Sequence, residues 1–241
     1  MRWLILALTL FPAACDVTIT TSSTGTPPPA GGASEQSATL LSATSVDGFA
    51  EVVRAVQPIA AQECRRRTQG VNCDFLVVVD PNRRAAPNAF QSVDKQGRPV
   101  LTFTAALIGD VRNPDELAFI LSHEAAHHIA GHLARQEQHA AAGAAVFAGL
   151  ATLTGGSAAD VAEAQKLGAV VGARSYSKEF ELEADELGTI ITHRAGFNPL
   201  IGAQFFTAIP DPGDRFLGTH PPNAERLETV RRTSARLGVS E

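Results

Sequence analysis

Two histidines four residues apart, His123 and His127, enclose Glu124 inside an apolar run that extends from Leu117 to Ile129. The pattern makes chemical sense on a helix. Residues i and i+4 share one helix face, so both imidazoles can aim a nitrogen at one point. Glu124 lies roughly 100° further round, near enough to reach a water at that point without replacing a ligand. This is the H-E-x-x-H arrangement, in which two histidines bind zinc and the glutamate works as general base. Asn113 suits the N-cap, Pro114 the first helical position and Glu116 the acid of a capping box. The spacing therefore predicts a helix from Asn113 to about Gln136 with the motif in its middle.

A catalytic zinc takes three protein ligands and keeps one position open, so a third ligand must come from elsewhere. The extended pattern H-E-x-x-H-x-x-G-x-x-H would need glycine at 130 and histidine at 133. The chain has Ala130 and Leu133, with Gly131 and His132 one place late, and its single methionine is Met1. That reading fails. The segment Ser177–Asp185 supplies four acids, of which Glu181 and Asp185 lie one helical turn apart on one face. Glu181 is the candidate third ligand, with Glu179 as its rival. Asp185 is placed to hydrogen-bond a ligand histidine from behind. Glu183, His128, His132 and His139 are expected in solvent, and His193 near a helix end.

The N-terminal residues carry a different signature. Arg2, the apolar run Trp3–Phe11 and the small residues up to Ala14 predict an export signal over residues 1–14. Cys15 resembles the acylated cysteine of a bacterial lipoprotein, although Pro12 stands where such sites carry an aliphatic residue. Residues 15–37 are rich in Thr, Ser, Pro and Gly and are expected to form a tether; residues 38–241 are expected to fold. Cys64 and Cys73 flank a polar stretch and are placed to close a disulfide in an oxidising compartment. Net charge is −5, and with no basic stripe nucleic acid is not an expected partner. The short run Arg65–Arg67 is expected on a solvated helix face.

Around these landmarks the periodicity predicts a helix from Val46 to Arg66 interrupted near Pro58, strands at Cys73–Val79 and Pro99–Thr104, and a turn at Asp94–Gly97. It also predicts helices at Ala158–Val171, Ser177–His193, Leu200–Ala208 and Asn223–Leu237, after the Ala/Gly-rich segment Ala140–Leu153. The fold class expected is α+β: a mainly helical domain with a small β-sheet.

Three motifs together, His123-Glu124-Ala125-Ala126-His127, the stretch S-K-E-F-E-L-E-A-D-E-L-G from Ser177, and Thr219-His220-Pro221-Pro222, resemble the HtpX-type zinc metallopeptidases. That family includes the CAAX prenyl proteases and exported lipoproteins of the LoiP and BepA type. Asn88-Ala89-Phe90 is similar to the family's motif before its active-site strand, although the following stretch carries Lys95-Gln96-Gly97-Arg98 in place of a glycine-rich turn. The resemblance implies a zincin-like fold, one Zn2+ per chain on His123, His127 and Glu181, and hydrolysis of unfolded or misassembled envelope proteins. It implies catalytic parts for Glu124, Asp185 and His220, the last as a fourth ligand or an oxyanion donor, and a place for Arg226 near the site. It also implies a periplasmic protein held to the membrane through lipidated Cys15. Substrate is expected to lie along the strand near Leu101–Thr104. The rival expectations are a latent chaperone-like protein and a structural zinc lipoprotein.

Overall fold

The structure, a computed structural model, describes residues 46–175, 177–211 and 221–240. Helix α1 (Val46–Arg67) runs through Pro58 as one element. Its last turn is less free than expected: Arg66 and Arg67 form ion pairs with Glu63, which is fully buried and also pairs with Arg194. A disulfide joins Cys64 to Cys73 and ties the end of α1 to the approach of the sheet.

Three strands follow: β1 (Leu76–Asp80), β2 (Ala89–Val93) and β3 (Pro99–Thr104). The order is β1-β3-β2, so β3 is central and β2 is an edge. β3 pairs parallel with β1, Leu76 opposite Val100, and antiparallel with β2, Phe90 opposite Thr102. The expected turn at Asp94–Gly97 joins β2 to β3, and the Asp94 carboxylate accepts from the amides of Gln96 and Arg98. Thr104 fastens the start of β2. Its hydroxyl accepts from the Asn88 amide and also caps α2 (Ala105–Asp110).

Helix α3 (Pro114–Ile129) is the axis of the fold. Asn113 caps it as expected, accepting from the Glu116 amide. The Glu116 carboxylate, however, takes the Arg112 amide and guanidinium instead of closing a capping box. Leu117, Ala118, Phe119, Ile120, Leu121, Ala125, Ala126 and Ile129 are all buried. A helix apolar nearly all round must be enclosed, and α3 is covered by α1, by α6 (Ser177–Arg194) and by the sheet. Phe119 meets Phe206 edge-on with ring centroids 5.6 Å apart; burying a side chain of that size stabilises by roughly 1.5–3 kcal/mol.

The helix expected to reach Gln136 ends earlier. Ala130 closes α3, Gly131 adopts the left-handed conformation at φ 67°, and α4 (His132–Leu153) starts in a new direction. Without a Cβ, glycine enters that region at little steric cost. α4 forms a hairpin with α5 (Ala158–Ser175), which includes the Ala/Gly-rich segment. Among the described residues no helix is long and apolar enough to cross a membrane. The C-terminal part adds α7 (Pro199–Gly202), α8 (Phe205–Ala208) and α9 (Asn223–Arg236), the last packed on α6.

Candidate metal centre

Two helices meet at one glycine to build the site. A Cβ on Gly188 would lie 3.2 Å from both Cα and N of His123. The absence of a side chain there lets α6 approach the backbone of α3. Glu181 and Asp185, two and one turns before Gly188 on α6, are thereby brought against His123.

The expected donors converge. His123 Nε2 and His127 Nε2 are 3.0 Å apart, Glu181 Oε2 is 3.5 Å from the first and Glu181 Oε1 is 3.4 Å from the second. The three residues form a group that can hold a metal ion. Four ligands arranged tetrahedrally around zinc at about 2.0–2.1 Å stand roughly 3.3 Å from one another, and the separation of the two imidazole nitrogens and of each from a Glu181 oxygen is of that size. Glu179 is exposed and stands outside the group.

Behind the triangle, Asp185 Oδ1 lies 3.0 Å from His123 Nδ1. Its two oxygens accept a fork from Arg226, from Nε and Nη2, both at 2.7 Å. Arg226 comes from α9 and its guanidinium lies 3.9 Å over the Phe206 ring. Burial alone would raise the Asp185 pKa, but Arg226 and His123 hold it below the usual carboxylate range. Burial likewise opposes a charge on His123, yet hydrogen bonds donated to Asp185 and Glu181 outweigh it and raise its pKa to about 9.

Two expectations need correction. His132 is buried, not solvated. Its Nδ1 lies 2.7 Å from His127 Nδ1, and its Nε2 lies 3.2 Å from Glu183 Oε2. Glu183 is exposed, as expected, and pairs there with Arg135, which donates to the same oxygen at 2.7 Å. Burial and the neighbouring His127 lower the His132 pKa to about 4. His128 is half-buried, its Nε2 2.8 Å from the Asn72 carbonyl, and burial lowers its pKa. His132 was findable from the Gly131-His132 pair, since glycine after a helical run marks a stop and puts the next residue back over the motif. His220 lies outside the described residues, as does Cys15.

His123, Glu124, His127, Glu181 and Arg226 line one cleft of about 460 Å³, together with Asn88, the β2 residues Ala89, Phe90 and Gln91, and the apolar residues Leu107, Phe119, Phe205, Phe206 and Ile209. The central strand β3 is paired on both sides, so an extended chain cannot pair with Leu101–Thr104 as expected. The strand edge that faces the cleft belongs to β2.

Comparison with known proteins agrees with this geometry. The model of peptidase family M48 matches residues 49–234, from the first helix to the last. The chain belongs to peptidase family M48. Among relatives of this M48 chain, the mitochondrial metalloendopeptidase OMA1 of Saccharomyces cerevisiae is 28% identical over 67% of the chain and 47% of the relative. A Vibrio cholerae protein named "Putative beta-barrel assembly-enhancing protease" is 35% identical over 50% of the chain and 28% of the relative. The chain thus matches less than two thirds of either relative's length.

Proposed function

We propose that this M48 chain is a zinc-dependent metalloendopeptidase, with His123, His127 and Glu181 as ligands and Glu124 as general base. The observation that carries the reading is the triangle of two imidazole nitrogens and one carboxylate at 3.0–3.5 Å, open to a cleft that also holds Glu124. When bound, zinc supplies Lewis-acid polarisation of a carbonyl and a nucleophile at neutral pH.

The chain's own residues do the rest. Glu124, next to the triangle in sequence and in the cleft, takes a proton from the attacking water and returns it to the leaving amine. One C–O bond forms, one C–N bond breaks, and the proton ends on the new amino group. Asp185 holds His123 through Nδ1, leaving Nε2 for the metal. The open edge of β2 offers main-chain donors and acceptors to an extended segment, which is strand addition. Such pairing reads backbone, and the Phe and Ile lining adds apolar pockets. Extended, apolar segments are what unfolded or misassembled proteins expose. The name of the Vibrio cholerae relative, a protease connected with beta-barrel assembly, supports envelope protein quality control as the setting. The apolar run Trp3–Phe11 and Cys15 support a periplasmic setting with a lipid anchor, and the Thr219-His220-Pro221-Pro222 motif supports a reading of His220 as a further ligand or oxyanion donor.

The test is zinc content measured alongside cleavage of casein. Wild type and Glu179→Ala should hold one zinc per chain and cleave; Glu181→Ala should lose both. Full zinc in Glu181→Ala would overturn the ligand set.

A further inference from the structure

The two candidate ligand histidines differ in what stands behind them. His123 turns Nδ1 to a carboxylate, Asp185. His127 turns Nδ1 to another imidazole, His132, at 2.7 Å. Two Nδ1 atoms at that distance must share a single proton. His127 Nε2 faces the donor triangle, which leaves the proton on its Nδ1 and makes His132 Nδ1 the acceptor. His132 then carries its own proton on Nε2, which points at Glu183 Oε2, 3.2 Å away. Arg135 donates to that oxygen at 2.7 Å. The result is a directed chain from His127 through His132 to Glu183, which Arg135 meets as a second donor.

Packing leaves His132 little freedom. It is 5% exposed and stacks on Phe180, with ring centroids 4.6 Å apart and planes 11° from parallel. On its other side the His127 ring stands at 72°. The left-handed turn at Gly131 brings the first residue of α4 back over the end of α3.

We propose that His132 is a positioning residue of the metal centre, fixing the tautomer and ring angle of His127 and linking it to Glu183 as Asp185 does directly for His123. The inference rests on the zinc reading above. A hydrogen-bond partner behind a ligand histidine usually contributes 10–100-fold in metal affinity. Glu183 is half exposed, so most of that contribution sits on His132.

The experiment is zinc affinity by chelator competition, with far-UV circular dichroism as a control for folding. His132→Phe keeps the ring on Phe180 and removes the acceptor; it should weaken zinc binding by about 10–100-fold. His132→Asn places an amide oxygen near the lost Nδ1 and should recover most of the loss. Glu183→Gln, on the surface, should give a smaller weakening in the same direction and covers the case in which His132→Phe does not fold. In nitrogen-15 spectra of the zinc-loaded wild type, His127 should be protonated on Nδ1 and His132 on Nε2. Zinc held as tightly by His132→Phe as by wild type, while His127→Ala loses it, would overturn the relay alone, as would a proton on His132 Nδ1. Full zinc retained by His127→Ala would overturn the metal site and the relay with it.

Discussion

Arg226 and Asp185 form a bidentate ion pair inside the protein, both contacts at 2.7 Å and both side chains buried. They are 41 residues apart in sequence, so the pair locks α9 onto α6 directly behind His123. Each partner keeps the other ionised: Asp185 is held low, and the neighbouring carboxylate raises Arg226 against the opposing effect of burial.

Arg226→Met should therefore be far more damaging than loss of a surface pair. It leaves a buried carboxylate without its cation, which costs about 3–5 kcal/mol. Urea unfolding of the zinc-free protein should show that loss, and Asp185→Asn in the same background should restore part of it. A change below about 1 kcal/mol, the surface-pair range, would contradict the reading.

Gly131→Ala tests the turn that separates α3 from α4. At φ 67° an L side chain costs roughly 1–2 kcal/mol, and nothing stands within 4 Å of the added carbon, so the penalty comes from the backbone and not from a clash. Thermal unfolding should show a loss of that size, accompanied by weaker zinc binding because His132 shifts. Unchanged stability would mean that the turn tolerates a side chain.

The Cys64–Cys73 disulfide closes a loop with a sequence separation of 9. Loop-closure entropy for that length corresponds to about 2.5 kcal/mol. The double replacement Cys64→Ala with Cys73→Ala should lower stability by that order in denaturant unfolding. Zinc content should stay at the wild-type value, since no donor residue lies in the loop. Equal stability with and without reductant would contradict the linkage.

Legibility in the sequence followed the range of each interaction. His123, Glu124 and His127 sit within one helical turn, and Glu181 and Asp185 within another, so periodicity alone places each set on a face. The parallel partnership of β1 and β3, the pairing of Arg226 with Asp185 and the approach at Gly188 join residues that are distant in sequence, and no local pattern encodes them. β2 escaped because Ala89–Val93 has one β-branched residue and no clean alternation; its place follows from pairing with β3. His132 was expected in solvent because the α3 pattern was extended through Gly131. The glycine was the signal, and it outweighed the apolar spacing.

The most direct measurement is casein cleavage by Glu124→Gln with its zinc content determined on the same sample. Glu124 lines the cleft beside the donors yet is not one of them, so the amide should leave one zinc bound and abolish cleavage. Cleavage by the zinc-loaded variant at the wild-type rate would contradict the account.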